Sequence, residues 1–362
     1  AIAQSRHAEG RTLSNPPVGC VIVDNSGRLC ATAHTGWGGV PHAETQALDM
    51  AGYLAEGATV YVTLEPCAHH GKTPPCIDAL IAARVARIVV AVADPDARVK
   101  GRGLEKAKAA GIDTHLGVGA AAARAVLSGF LRRIERGRPY VWMKTAASLD
   151  GGIALADGEK RWLTGRPMRH FVHEVRSRCD ALLTGVGTIL ADDPELTCRA
   201  PARNADSPAV FVLDSQLRTP PTARIFGLGN RPVTLLCTPS ASNERVIALT
   251  HAGAVVTRLL AQPNGQLDLD AVLDHLGAGG INTLLVEAGT GVTTSMLKAG
   301  LVDKIYWTQS PHILGADARP VVGHLKLIAL PNQNLYTQLT SSQLGQDQLR
   351  VFVQDINADQ TG

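Results

Sequence analysis

Three residues set the strongest limit on how this chain can fold. His42, Cys67 and Cys76 are all metal-ligand types, arranged as His42-Ala43-Glu44, then Pro66-Cys67, then Cys76 after eight intervening residues. To hold one ion, three separate segments must converge. The surrounding sequence allows it, since the ligands follow predicted strand ends or open predicted helices. Free N–H groups and the dipole at a helix start favour negative charge, which lowers thiol pKa values toward the thiolate that binds metal. Pro66 and Pro74-Pro75 stiffen the loop bearing the cysteines and reduce the entropy lost on closing the site.

Three protein ligands leave a fourth position open, as in catalytic zinc sites. Bound zinc lowers the pKa of water from about 16 to about 7. Glu44 is not needed as a ligand. It is free to take the water proton and pass it to a departing amine, a transfer worth roughly 10²–10⁴-fold. The pattern as a whole is that of zinc-dependent deaminases. The alternative is a structural site with four protein ligands, in which His69 or His70 completes the set. Both histidines fit a substrate or loop contact better.

The first part of the chain alternates strands and helices. Val18–Val23 and Leu29–Ala33 read as strands joined by the turn Asp24-Asn25-Ser26-Gly27, and Ala43–Ala55 has helical apolar spacing. Strands are expected at Ala58–Thr63, Ala86–Val92 and Ile112–Leu116, with helices near Cys76 and at Leu104–Ala110 and Ala120–Arg136. Gly137-Arg138-Pro139 marks a boundary, giving domains 1–138 and 139–362. A second alternating series follows. It has strands at Tyr140–Thr145, Asp180–Thr184, Ala209–Leu213, Val233–Cys237, Thr283–Val286 and Lys304–Gln309. Its helices are Pro167–Arg178, Leu269–Leu276 and Thr293–Leu297, with surface loops at Arg199–Ser207 and Leu259–Gln266 and a frayed tail at Asn357–Gly362. Both halves read as layered α/β domains.

Composition excludes several classes. A net charge of +3 without a dense Lys/Arg block argues against a nucleic-acid partner, and no apolar run spans a membrane. Seven cysteines, an odd number without a regular framework, argue against a secreted disulfide scaffold. Cytoplasm is the expected compartment. The five cysteines outside the metal set read as small apolar residues. The chain opens at Ala1 inside what reads as a helix, so preceding residues are expected.

Longer motifs carry a closer resemblance. Asn15-Pro16-Pro17-Val18-Gly19-Cys20 and the run from Thr63 to Cys76, with His69-His70-Gly71-Lys72-Thr73-Pro74-Pro75-Cys76, resemble the bacterial bifunctional riboflavin biosynthesis deaminase/reductases. The eight-residue spacing between the cysteines discriminates, because nucleic-acid cytosine deaminases use the shorter Pro-Cys-x-x-Cys. The second half continues the resemblance with Lys144-Thr145-Ala146-Ala147-Ser148-Leu149-Asp150-Gly151, the stretch Ala191–Arg199, and Val286-Glu287-Ala288-Gly289.

That resemblance implies a three-layer cytidine-deaminase-like domain followed by a dihydrofolate-reductase-like α/β domain. It implies Zn²⁺ and NADPH as cofactors, a small pyrimidine ribosyl phosphate as substrate, and a homo-oligomer, dimer or tetramer. The first domain would remove an amino group, and the second would reduce the ribosyl group to ribityl. Carried over by motif, NADPH contacts fall on Ala146, Trp162, Thr188, Asp192, Ser215 and on Gly289, Thr290, Gly291, Val292, Thr293, Thr294 and Ser295. Substrate contacts fall on Asn15, which would hold the pyrimidine ring, and on Lys160, Arg176, Leu196, Arg199 and Glu287. Lys160 stands where the family often has serine and would meet phosphate as a point charge. Read alone, Gly289-Thr290-Gly291 is equally a tight turn, Trp162 equally a packing residue, Arg176 and Arg199 more ordinarily solvated surface residues, and Glu287 a salt-bridge partner.

Two other functions fit part of the pattern. A deaminase acting on nucleic acid accounts for the zinc motif but leaves roughly 220 residues without a role. A zinc-stabilised scaffold with a degenerate second half is opposed by the intact Glu44.

Overall fold

The computed structural model describes residues 1–69, 74–157, 162–200, 207–227, 231–328 and 335–354. The chain forms two compact units. One comprises Ala1–Pro139 with Gly277–Asn282, the other Tyr140–Leu276 with Thr283–Gly362. None of the described helices is long and apolar enough to cross a membrane.

The first unit is built on five strands, β1 (Gly19–Val23), β2 (Leu29–His34), β3 (Thr59–Leu64), β4 (Arg87–Val92) and β5 (Asp113–Leu116). They lie in the order β2-β1-β3-β4-β5. The β1–β2 hairpin is antiparallel, while β3, β4 and β5 run parallel. Helices α1 (Ile2–Ala8) and α5 (Ala120–Arg136) pack together, as do α2 (Ala43–Ala51), α3 (Cys76–Ala82) and α4 (Arg102–Ala109), completing three layers. β4 reads Arg-Ile-Val-Val-Ala-Val and is buried throughout beyond Arg87, as a central parallel strand covered on both faces must be. The core gathers Ile22, Ile77, Leu80, Ile88 and Leu127. The helix expected over Ala43–Ala55 ends its α-helical part at Ala51, where Gly52 (φ +56°) turns the chain and a 3₁₀ turn continues to Ala55.

The second unit holds a nine-stranded sheet ordered β11-β10-β9-β8-β12-β6-β13-β16-β15. Its strands are β6 (Tyr140–Ala147), β8 (Ala181–Gly185), β9 (Ala209–Leu213), β10 (Val233–Cys237), β11 (Val255–Arg258), β12 (Thr283–Val286), β13 (Lys304–Gln309), β15 (Tyr336–Leu344) and β16 (Asp347–Gln354). β7 (Gly152–Ala154) pairs separately with β14 (Arg319–Pro320). Neighbours from β11 through β13 are parallel, and β16 and β15 add an antiparallel hairpin at one edge. This is the layered α/β arrangement expected of the second half, a mostly parallel sheet with connecting helices. Helices α6 (Arg166–Arg176), α7 (Val186–Asp192), α8 (Asn243–His251), α9 (Leu269–Ala278) and α10 (Thr290–Lys298) connect the strands.

Several of these elements lacked a sequence signal. β15, Tyr-Thr-Gln-Leu-Thr-Ser-Ser-Gln-Leu, is exposed along almost its whole length and exists through its ladder with β16, so it shows no apolar alternation. α10 starts three residues earlier than its apolar spacing indicates, because Gly289 serves as N-cap and Gly289-Thr290-Gly291 enters the helix.

Candidate metal centre and reductase cleft

In the first unit, β3 delivers the chain through Glu65-Pro66 to Cys67. His42 is the N-cap residue of α2, and Cys76 is the first residue of α3. His42 Nδ1 lies 3.2 Å from Cys76 Sγ and 3.7 Å from Cys67 Sγ. All three candidate ligand atoms lie within 4.8 Å of one another. A tetrahedral zinc with bonds of about 2.0–2.3 Å has ligand–ligand edges of about 3.5–3.8 Å, so the donor set fits. Among the described residues this is the one such cluster. His69 lies outside it, and its buried Nδ1 has no hydrogen-bond partner. His70 lies outside the described residues.

The electrostatics of the cluster favour metal. Hydrogen bonds from the Cys76 thiol, His42 and the Cys76 backbone N–H outweigh burial and hold the Cys67 thiol down at about 4. Its hydrogen bond to Cys67 raises the pKa of His42. Glu44, in the first turn of α2, is almost completely buried. Burial first, then the charge of Cys67, lifts its carboxyl to about 7. That places it among groups able to accept and return a proton near neutrality. Asn15 donates from Nδ2 to the Gly39 carbonyl at 3.1 Å, tying its loop to the segment that leads into His42.

Glu65 went unassigned from sequence. It is 3% exposed, and its carboxylate accepts N–H bonds from Gly103 (3.0 Å) and Leu104 (3.3 Å) on one oxygen and from Gly101 (3.0 Å) and Asp94 (3.3 Å) on the other. It thereby satisfies the open N-terminus of α4 and pins the loop that carries Cys67. A carboxylate at the end of a buried strand, directly before Pro-Cys, was the available signal.

In the second unit a cleft of about 2100 Å³ opens along the C-terminal ends of β6, β8, β9 and β12, where open parallel sheets bind ligands. Pockets for one small ligand run to about 300–1,000 Å³, so there is room for a dinucleotide and a second molecule. Ala146, Trp162, Thr188, Asp192, Ser215, Gly289, Thr290, Gly291, Val292 and Ser295 line it, as do Arg176, Leu196, Arg199 and Glu287. The backbone N–H groups of Gly289–Gly291 open α10 at this cleft, a fit for a dinucleotide's phosphates. Thr293 and Thr294 face elsewhere. Thr293 is buried, and the Thr294 hydroxyl donates to the Thr290 carbonyl and accepts from Gly323 N–H. Lys160 lies outside the described residues.

The floor of the cleft is charged. Arg176 grips Glu287 with two hydrogen bonds, 2.5 and 2.9 Å, and gives a third to the Thr197 carbonyl. Burial would push Glu287 up, but the charge and hydrogen bonds of Arg176 hold it down at about 2. Lys144, the fifth of the eight residues of β6, stands 4.0 Å from Glu287, and burial lowers its pKa despite that partner. Lys144 was quoted in a motif but given no role. A lysine inside a buried strand was its signal. Arg199 bonds Glu195 and Thr197, and its backbone N–H donates to His173 Nδ1. Leu196 is buried with a left-handed backbone (φ +51°), and Arg231 donates to its carbonyl. Trp162 is exposed, with the Arg169 guanidinium 4.8 Å from its ring centroid.

Fold and sites together define a class: a zinc-dependent deaminase unit and a nucleotide-dependent reductase unit in one chain. Residues 1–92 match the cytidine and deoxycytidylate deaminase zinc-binding region, and residues 139–349 the RibD C-terminal domain. The chain is 42% identical over 330 residues to riboflavin biosynthesis protein RibD of Escherichia coli K12, covering 88% of each. Its fold is similar to that of Acinetobacter baumannii RibD (TM-score 0.86, 36% identity, 98% and 97% of the two chains). It is also similar to a diaminohydroxyphosphoribosylaminopyrimidine deaminase/5-amino-6-(5-phosphoribosylamino)uracil reductase of Thermotoga maritima (TM-score 0.84, 30% identity, 98% and 97%). The chain belongs to the RibD family of bifunctional riboflavin biosynthesis deaminase/reductases, whose cofactors are zinc and NADPH.

Proposed function

We infer that the two units catalyse consecutive steps on one small molecule. The first deaminates 2,5-diamino-6-ribosylamino-4(3H)-pyrimidinone 5′-phosphate. The second reduces its ribosyl group to give 5-amino-6-ribitylaminouracil 5′-phosphate. The convergence of His42, Cys67 and Cys76 beside buried Glu44 carries the first assignment. Zinc bound by these three residues supplies the Lewis acidity that brings water ionisation into the neutral range. Glu44 takes a proton from the attacking water and returns it to the departing nitrogen, so that the C–O bond forms, the C–N bond breaks and ammonia leaves. Asn15 would orient the pyrimidine ring.

In the second unit, NADPH supplies a hydride when bound. Gly289, Thr290 and Gly291 would receive its phosphates. Lys144, made easier to deprotonate by burial, would give a proton to the ribose ring oxygen as the sugar opens. Glu287, held ionised by Arg176, accepts hydrogen bonds from sugar hydroxyls. Arg199 and Lys160 would meet the 5′-phosphate. We take domains 1–138 and 139–362 as the two functional modules and the protein as a cytoplasmic homo-oligomer that does not engage nucleic acid. Sedimentation of the purified chain tests the oligomer. The function itself is tested by supplying the diaminopyrimidinone ribosyl phosphate with NADPH and following ammonia and NADPH together. Ammonia followed by NADPH loss is expected. Ammonia without NADPH loss would overturn the reductase half.

A further inference from the structure

A short segment from far along the sequence is built into the first unit. Gly277–Asn282 span the end of α9 and the approach to β12, yet they pack with Ala1–Pro139. A Cβ on Gly277 would collide with the Gly137 carbonyl, and one on Gly280 would lie 3.0 Å from the Ser14 Cβ. Asn282, the last residue of the segment, is 4% exposed. Its Nδ2 donates to the Leu13 carbonyl at 2.8 Å and, across 267 residues of chain, to the Asn15 carbonyl at 3.3 Å. Its Oδ1 accepts from Nε of Arg133, on α5, at 2.7 Å. Arg133 Nη2 in turn donates to the Ser14 carbonyl at 2.6 Å. Three consecutive carbonyls, those of Leu13, Ser14 and Asn15, are therefore held by one interlocked pair of side chains.

Those carbonyls belong to the loop that presents Asn15, and its conformation needs holding. Leu13 has a left-handed backbone (φ +52°) and a side chain that stays exposed, so its own burial does not fix that conformation. A non-glycine residue keeps such a backbone only where its surroundings impose it. Within the loop, Asn15 N–H donates to the Thr12 carbonyl at 3.0 Å and the Thr12 hydroxyl to the Asn15 carbonyl at 2.7 Å. The Asn15 side chain is tied to the Gly39 carbonyl, in the segment that leads to His42. Asn282 and Arg133 fix the backbone end of the same residue. β12 has its own anchor. Thr283 N–H donates to Asp180 Oδ2 at 2.8 Å, and Asp180 N–H donates to the Thr283 carbonyl at 3.0 Å. A change in the Asn282 side chain therefore leaves the strand that leads to Glu287 with its ties intact.

We propose that Asn282 is a positioning residue for the deaminase reaction, which sets where Asn15 meets the pyrimidine ring by binding the Leu13 and Asn15 carbonyls. This rests on the reading of Asn15 as the ring contact, and it extends the first module past residue 138 to residues 277–282. The test uses the full chain. Ammonia release from the diaminopyrimidinone ribosyl phosphate reports one half-reaction, and NADPH loss with the already deaminated compound reports the other. Asn282→Asp keeps size and the Arg133 bond but turns an acceptor toward two carbonyls. Leaving buried carbonyls without their donor is worth about 10-fold in an equilibrium. The KM for deamination should rise by about that factor, with zinc content and the reductase rate at wild-type values. Asn282→Ala, which removes the amide without repulsion, should raise KM in the same direction by less. Residues that act through one another are not additive, so in an Asn15→Ala background Asn282→Asp should add less than about twofold. An unchanged deamination KM in both variants would overturn the proposal. So would equal losses in the two half-reactions, loss of zinc in both variants, or full additivity with Asn15→Ala. If Asn15→Ala raises KM and neither Asn282 variant does, the proposal falls alone. If Asn15→Ala leaves KM unchanged, the proposal and the reading of Asn15 fall together.

Discussion

At the scale of single residues, each site separates a group that holds from a group that reacts. In the proposed reading of the first unit, His42, Cys67 and Cys76 hold the metal and Glu44 carries the proton. Glu44→Gln keeps the shape and a hydrogen-bonding group but removes the basic oxygen. The variant should retain zinc and its fold while ammonia release falls by at least the roughly 10²–10⁴-fold that acid–base catalysis is worth. Metal analysis beside an ammonia assay checks this, and a variant that lost its zinc would show Glu44 to be part of the metal site. In the second unit, burial and then the charges of Arg176 and Arg199 hold His173 down at about 4. An unfolded histidine titrates at about 6.5. Between those values the unfolded chain takes up a proton that the folded one refuses, so stability is fully present above about pH 6.5 and is lost as pH falls toward 4. Thermal unfolding from pH 7 to 4.5 should therefore fall more steeply in wild type than in His173→Asn, whose amide oxygen can still accept the Arg199 N–H.

At the scale of elements, α4 is a structural partner of the metal loop although it carries no ligand. Its N-terminal N–H groups are capped by Glu65. A Cβ on Gly103 would sit 2.3 Å from the Pro66 carbonyl oxygen and 3.2 Å from Glu65 Oε1. In an ordinary helix, glycine to alanine gains up to about 1 kcal/mol. Here the new methyl meets backbone, and overpacking costs about 1–3 kcal/mol, so the clash wins. Gly103→Ala should lower the melting temperature and reduce zinc content, and a more stable variant with full zinc would contradict this account of the loop. Sequence reading placed α4 correctly within two residues yet gave no hint of this role, because a helix start seeking a carboxylate across about forty residues leaves no local pattern. β15 was missed for a related reason, since a strand that is exposed along its length is specified by its partner. β16 was missed although its buried positions, Asp347, Leu349 and Val351, alternate as a strand's do.

At the scale of the whole molecule, the chain carries two chemistries in two compact units, each with its own core. The metal cluster draws only on residues of the first unit, and the cleft only on residues of the second. Removing zinc with a chelator should abolish ammonia release and lower the unfolding temperature of the first unit. Reduction of the already deaminated intermediate by NADPH should survive within about twofold. If chelation stopped both reactions in a folded protein, the units would be coupled in a way their separate cores do not require.

The sequence by itself was enough to read the two-part α/β organisation and the family, and to nominate a metal-ligand set and a proton carrier. Those properties are local, consisting of ligand types at fixed spacing and apolar periods of two or 3.6 residues. Only the tertiary structure decided which candidate residues share a surface. It turned Thr293 and Thr294 away from the cleft, because helical geometry sends neighbouring positions to different faces. It bound Arg176 to Glu287 across more than a hundred residues. It also gave Glu65 and Lys144 their surroundings, since what a buried carboxylate or a buried lysine does depends on neighbours brought in by the fold.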